Sequence, residues 1–335
     1  MPKRHYERRE PRHNWQQVRP LCPLQNWTHR SGFGQRIMKE TRMPYTHVNG
    51  CDLYYEAGGQ GAPVIFVHGG FPSLASTIHD FSRWHWTWEN DLAASFHFIW
   101  YDRRGCYRSS CPESGYDGEN QALDLALLLD AVHIPSVHVI GSSAGGPISL
   151  MFAVLYPHRA RSLTLAGTSI DFFPVDDPVS DLIRQLIAIL EQEGAEAAFA
   201  QRPAGVETSL EPLWIVDEMH ARRRYAEFLE REQHLARQVQ TMPTAERARY
   251  FSVELRSMQA YMRDDVQTYA RQVTCPTLVL HGSDDREVPL AWGEALAEMI
   301  PTARMHIIPG GGHSLVHHSV EGRQVVIDFI QGTKP

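Results

Sequence analysis

From residue 45 onward, short apolar runs rich in β-branched residues alternate with longer stretches of helical spacing. Runs at 64–67, 96–101, 137–140, 162–165, 277–280 and 305–308 have strand length and little alternation. That is the pattern of strands covered on both faces, as in a parallel sheet. Residues 45–49 and 51–56, broken at Gly50, read as an opening strand pair. Helical patterns lie at about 119–132, 144–156, 290–299 and 320–331. Strand and helix in turn predict a doubly wound α/β sheet.

The rhythm breaks between 171 and 271, where Arg, Glu, Ala, Gln and Leu recur at helical spacing and strand signals vanish. Pro174, Pro178, Pro203, Pro212 and Pro243 cut this stretch into several helices. A helical insertion of that length in an α/β sheet reads as a cap, with the core in 43–170 and 272–335. Strand logic resumes at Cys275-Pro276.

Composition narrows the classes. The 335 residues are 43% hydrophobic and 21% charged, which is ordinary globular usage and excludes general disorder. No run approaches the ~18 consecutive apolar residues of a membrane span. The net charge of −7 hides an asymmetry, because residues 1–42 hold 10 Lys and Arg against 3 Asp and Glu. The acidic remainder argues against nucleic-acid binding, which rests on clustered Lys and Arg. Residues 1–42 lack the apolar run of a secretory signal and read as a flexible basic extension. Cysteines 22, 51, 106, 111 and 275 form no CxxC pair, so free thiols in the cytoplasm are expected.

The strongest chemical signal is Gly141-Ser-Ser-Ala-Gly145, which fits G-x-S-x-G between a predicted strand and a predicted helix. A serine there sits on a strained turn with its hydroxyl exposed, and the small flanking residues permit the tight fold. Ser142 lacks glycines two positions away, so Ser143 is the candidate nucleophile. Serine needs a base to take its proton and an acid to orient that base. Both should follow in chain order on later strand ends. His313 closes Gly310-Gly-Gly-His313 after a predicted strand, and Asp284 and Asp285 lie in the loop after the strand before it. Asp171 is a further candidate acid, whereas His79, His85, His317 and His318 read as surface or packing residues. His68-Gly-Gly-Phe-Pro72 follows the strand at 64–67. Its backbone N–H groups can face a developing oxyanion, one donor from Gly70 or Phe71 and the other from Ala144. His68 itself reads as structural. No P-loop, H-E-x-x-H or Cys/His cluster is present, so neither a cofactor nor a metal is expected.

Together, the HGG loop, Tyr101-Asp-Arg-Arg-Gly105 with Ser109, the GSSAGG turn, GSDDREVP and GGGH make the chain from about 45 to 332 resemble the α/β-hydrolase superfamily. The Tyr-Asp-Arg-Arg-Gly stretch is especially similar to cofactor-free haloperoxidases and related esterases. The resemblance implies an eight-stranded, mostly parallel sheet with a helical cap after the sixth strand. It also implies a triad of Ser143, Asp285 and His313, the acid standing four residues before Pro289. Two positions depart from the family pattern. Tyr107 replaces the second glycine of Gly-x-Gly-x-Ser, and the link at 74–88 is longer and rich in aromatics (Phe81, Trp84, Trp86, Trp88).

The expected activity is hydrolysis of a carboxylic ester or lactone on a small-molecule substrate. A proline-type aminopeptidase, a C–C bond hydrolase and a perhydrolase side activity use the same triad. A hydrolase-fold receptor with little turnover is the non-enzyme alternative.

Overall fold

A computed structural model describes residues 45–78, 91–210, 237–313 and 319–333. The strands are β1 (Tyr45–Val48), β2 (Cys51–Gly58), β3 (Pro63–Val67), β4 (His97–Tyr101), β5 (Val137–Ser142), β6 (Ala160–Ala166), β7 (Thr277–Gly282) and β8 (Ala303–Ile308). They form one eight-stranded sheet in the order β1-β2-β4-β3-β5-β6-β7-β8. β2 runs antiparallel to both β1 and β4, and every pair from β4 across to β8 is parallel.

β3 and β5 are the inner strands, and alternate side chains enter two different cores. Ile65, Val67, Val137 and Val139 pack with α2 (Gly118–Ala131) and α3 (Gly145–Leu155). Val64, Phe66 and Ile140 pack on the other face with Val326, Phe329 and Ile330 of α9 (Val320–Gly332). Burial on both faces explains the uninterrupted apolar runs. α8 (Leu290–Met299) connects β7 to β8.

Between β6 and β7 the described chain is helical: α4 (Pro178–Glu193), α5 (Ala195–Ala200), α6 (Thr244–Arg263) and α7 (Val266–Ala270). Pro178 opens α4 behind the N-cap Asp177, whose carboxylate accepts from Ser180 N at 2.7 Å. Pro243 immediately precedes α6. Both are positions where a missing N–H costs nothing. Ile183, Leu186, Phe251, Leu255 and Tyr261 from α4 and α6 share the core that includes Phe71 and Ala144, so the insertion packs on the face beside the G-x-S-x-G turn.

The aromatics at 81–88 and the histidines 79, 85, 317 and 318 lie outside the described residues, as does the basic segment 1–42. Of the link at 74–88, a short helix α1 (Leu74–Ile78) is described. Among the described residues no helix is long and apolar enough to cross a membrane. Cys51, Cys106, Cys111 and Cys275 are free.

Candidate active site

Chain direction across the sheet reverses between β3 and β5, which pair directly with Val67 opposite Gly141. A crevice opens beyond the strand ends at such a switch point. The His68–Pro72 loop and the 142–145 turn leave the sheet side by side there.

Ser143 sits at φ +48, a left-handed conformation that is strained for a residue with a side chain. Its amide donates to Ala166 O at 3.0 Å, and its carbonyl accepts from Gly146 N and from Thr168 Oγ1 at 2.8 and 2.7 Å. The two motif glycines are sterically required. A Cβ on Gly141 would stand 2.4 Å from Ser149 Oγ, and one on Gly145 would stand 2.2 Å from Val67 O. Gly69 is equally constrained, since its Cβ would meet Ser143 Cβ at 2.7 Å. α3 begins directly after Ala144, so the positive end of its dipole points at the turn.

The carboxylate and imidazole arrive from the other side. Asp285, in the loop after β7, is 6% exposed. Its Oδ2 lies 2.9 Å from His313 Nδ1, while Oδ1 accepts from Glu287 N and Val288 N at 2.9 and 2.8 Å. Burial alone would raise this carboxyl. The His313 hydrogen bond and charge outweigh it, helped by the two amides, and hold Asp285 below the usual carboxylate range. Its neighbour Asp284 is exposed and accepts from Ser283 Oγ at 3.1 Å. Asp171 likewise faces a turn, accepting from Phe173 N at 2.8 Å. With Nδ1 committed to Asp285, the neutral His313 keeps Nε2 as its acceptor. Glu287 Oε2 lies 3.7 Å from that Nε2, a carboxylate that no motif marks.

Gly167 ties the two sides together. It follows Ala166, the acceptor of the Ser143 amide, and its position lies against His313 and Asp285: a Cβ there would be 3.4 Å from Asp285 Oδ2. Behind Asp285, the fully buried His281 places Nε2 2.9 Å from Val288 O and 3.4 Å from Asp285 Oδ2.

The loop after β3 has its own supports. Gly70 adopts φ +73, which glycine alone tolerates easily. Arg103 N donates to His68 Nε2 at 3.0 Å, so the neutral imidazole carries its proton on Nδ1 and donates to Gly69 O at 2.7 Å. His68 therefore braces the loop. In the Tyr101–Gly105 stretch, Arg104 makes a buried bidentate pair with Asp124, both contacts 2.6 Å. Asp102 is held by Arg108 Nε at 2.7 Å. Tyr107, which stands where the family pattern has its second glycine, adopts φ +48, a left-handed conformation that glycine tolerates more easily. Among the described residues no group of three or more His, Cys, Asp or Glu is placed to hold a metal ion.

The family model for the alpha/beta hydrolase fold matches residues 62–318. The chain belongs to the α/β-hydrolase fold family. One relative is a 2-hydroxy-6-oxononadienedioate/2-hydroxy-6-oxononatrienedioate hydrolase of Paraburkholderia xenovorans, 30% identical over 83% of this chain and 90% of its own length. Among solved structures, a thermophilic esterase of Thermogutta terrifontis superposes with a TM-score of 0.60 at 23% identity, covering 87% of this chain and 98% of that one. A bromoperoxidase of Bacillus anthracis gives 0.61 at 23%, covering 84% and 96%. At those identities the structures speak for the fold, which is that of the esterase and haloperoxidase resemblance seen in the sequence. Ser143 and His313 stand in local motifs of the sequence, and the resemblance to the family distinguishes Asp285 from Asp284; the structure brings Asp285 and His313 into contact. Sequence reasoning did not single out Arg103, Tyr261, His281 or Glu287, whose places depend on contacts distant in the chain or on loop conformation.

Proposed function

We propose that this α/β-hydrolase cleaves a carboxylic ester or lactone, with Ser143 as nucleophile, His313 as base and Asp285 as its orienting acid. The observation that carries the reading is the pair of the buried Asp285 with the half-buried His313, 2.9 Å long, in the same crevice as a serine held at φ +48. His313 Nε2 takes the Ser143 hydroxyl proton as Oγ bonds the carbonyl carbon, and the carbonyl electron pair moves onto oxygen. Amides of Ala144 and of Gly70 or Phe71 receive that oxyanion. The intermediate collapses, the C–O bond to the alcohol breaks, and the alkoxide takes the proton from His313. Water then gives a proton to His313 and attacks the acyl carbon. Release of the acid returns the proton to Ser143. Asp285 remains ionised throughout and stabilises the imidazolium. The helices in 171–271 act as a cap that excludes water and shapes the small-molecule pocket.

A C–C bond hydrolase is the second reading, favoured by the 30% identity to the Paraburkholderia enzyme. A panel of p-nitrophenyl acetate, p-nitrophenyl butyrate, a γ-lactone, a proline anilide and a 2-hydroxy-6-oxo-dienoate separates the readings. Ester or lactone turnover that dominates the panel supports the first. Dominant cleavage of the dienoate moves the assignment to the second, and no turnover of any member overturns both. Covalent labelling by a fluorophosphonate is expected at Ser143, and Ser143→Ala should lose roughly 10⁴-fold or more in turnover while staying folded. Labelling at Ser142 would move the nucleophile.

A further inference from the structure

Among the described residues Arg103 is the largest fully buried side chain, 1% exposed, directly behind the loop after β3. Among the described residues, no carboxylate hydrogen-bonds to its guanidinium. Nη2 donates to Gly69 O at 3.3 Å and to Gly70 O, while Nη1 donates to Gln121 Oε1 at 3.1 Å and to Tyr261 OH at 3.2 Å. Gln121 is fixed in turn, its Nε2 donating to Tyr116 O at 2.6 Å. Tyr261, on α6 of the insertion, donates its own proton to Ala144 O. Burial pushes the Tyr261 phenol up to about 12, against the nearby Arg103 charge, so it is a neutral donor at neutral pH. A lone cation in so dry a place is costly unless several dipoles face it.

The geometry of the peptide unit gives those dipoles a purpose. Gly69 O and the Gly70 N–H belong to one planar trans peptide; Gly70 O and the Phe71 N–H belong to the next. In a trans peptide the C=O and N–H point in opposite directions. A cation that grips both carbonyls therefore turns both N–H groups away from itself. It also polarises both peptides, which strengthens their outward donors. The amides so oriented are those of Gly70 and Phe71, in the loop whose Gly69 lies against Ser143. Tyr261 holds the third donor's residue, Ala144, by its carbonyl, which fixes where that residue sits, while the Ala144 N–H shares its peptide with Ser143 O, held by Gly146 N and Thr168 Oγ1.

We infer that Arg103 and Tyr261 are positioning residues of the oxyanion hole: Arg103, a buried cation, sets and polarises the amides of Gly70 and Phe71, and Tyr261, a phenol from the helical insertion, anchors Ala144 by its carbonyl. The inference rests on the proposed serine-hydrolase reading. Arg103 touches no substrate and acts through the two peptides. It couples α6 to the reacting centre, so movement of the insertion is felt as a change in donor geometry.

The test uses the full chain with p-nitrophenyl butyrate and a fluorophosphonate, both of which place a negative oxygen in the hole as Ser143 attacks. In Arg103→Gln, kcat and the labelling rate at Ser143 are expected to fall together by ~10²-fold, the scale of one lost oxyanion donor, with KM within about threefold. Arg103→Lys keeps the charge but cannot span both carbonyls, so it should restore part of the rate, to within ~10-fold of wild type. Tyr261→Phe should cost ~10-fold in kcat and leave KM unchanged, because one neutral hydrogen bond is removed. A folded Arg103→Gln with kcat and labelling within twofold of wild type overturns the inference, as does a loss confined to KM. Should Arg103→Gln fail to fold, Arg103→Lys and Tyr261→Phe decide it, and wild-type rates in both overturn it. A wild type that is not labelled at Ser143 overturns the hydrolase reading, and this inference with it.

Discussion

The two arms proposed to meet at Ser143 are built by opposite means. On one side, Asp285 and His313 come from loops after adjacent parallel strands, β7 and β8, and the contacts that fix them stay within those two loops and their strand ends. Glu287 N and Val288 N hold Asp285, and Ser283 N and Gly311 N both return to Ile308 O. On the other side, the loop after β3 is held from a distance. His68 is gripped from the end of β4, and Arg103 and Tyr261 reach each other across 158 positions of chain. The first arm is a local device that survives wherever two strand ends lie together. The second exists only after the insertion has docked, which makes donor geometry depend on tertiary packing.

The sharpest way to break this comparison is at the acid. Only one carboxylate of a consecutive pair can face the imidazole, and Asp285 lies 2.9 Å from His313 Nδ1 while Asp284 is turned to solvent. Asp285→Asn removes the charge that stabilises the imidazolium and favours the wrong tautomer, so kcat should fall by up to ~10⁴-fold. Asp284→Asn should leave kcat unchanged and cost less than about 1 kcal/mol. Kinetics and thermal melts of both variants check the pair. A loss in Asp284→Asn and not in Asp285→Asn would move the acid by one position.

The next effect probes where the arms touch. A Cβ on Gly69 would lie 2.7 Å from Ser143 Cβ and 3.1 Å from the Ser142 carbonyl, so the loop and the turn must separate. Gly69→Ala is expected to lower kcat by ~10–100-fold, the scale on which an ångström of misplacement is felt. It should also cost on the order of 1–3 kcal/mol of stability through overpacking. Unaltered kinetics would mean the two segments move apart without consequence for the donors.

Tyr107 offers a smaller effect on stability. Its φ of +48 is unfavourable for a bulky residue, and its ring lies 5.0 Å from that of His68. Tyr107→Gly should relieve strain of order 1 kcal/mol while giving up the ring contact, so stability should change by less than about 1 kcal/mol either way. A melt resolves this, and a large loss would show the ring contact to outweigh the strain.

The contrast between the arms also explains what could be read from the chain. Strand spans were legible because burial on both faces of β3, β5 and β7 leaves continuous apolar runs. Edges were less so: β5 continues through Gly141 to Ser142 because Ser142 pairs with Ala166 in the ladder, which no side-chain pattern records. Ser143 and His313 stand in short motifs whose glycines are set by close approach, as at Gly141 and Gly145. Arg103 looks like one more arginine beside Arg104, and Tyr261 like one more aromatic on an amphipathic helix. What makes them matter is their mutual contact, and separation along the chain hides it.

The smallest expected effect on turnover concerns the clip that holds the second arm's helix in place. Asp264 follows the last residue of α6, three positions after Tyr261, and its Oδ2 accepts from Gly118 N at the start of α2 at 2.9 Å. Burial raises its carboxyl to about 6, against the Gly118 hydrogen bond and with the charges of Asp117 and Glu119 adding to the rise. A carboxyl whose folded pKa is raised contributes stability that is fully present below its unfolded value, near 4, and is lost as pH climbs through about 6. Above that pH the folded protein carries a charge it holds less comfortably than the unfolded chain does. Asp264→Asn keeps an acceptor for Gly118 N and removes the charge. A tenfold change in a protonation equilibrium is worth about 1.4 kcal/mol, and solvent screens a half-buried group. Relative to wild type, the variant should therefore gain on the order of 2 kcal/mol between pH 4 and pH 8. Denaturant melts of both proteins across that range measure the difference directly, because every other titrating group is common to the two. Turnover of p-nitrophenyl butyrate at pH 8 should stay within twofold of wild type, as the clip fixes where α6 sits and not which donors face Ser143. A gain in stability accompanied by a marked fall in kcat would show that the charge on Asp264 itself tunes the position of Tyr261, and the two arms would then be coupled more tightly than their separate supports imply.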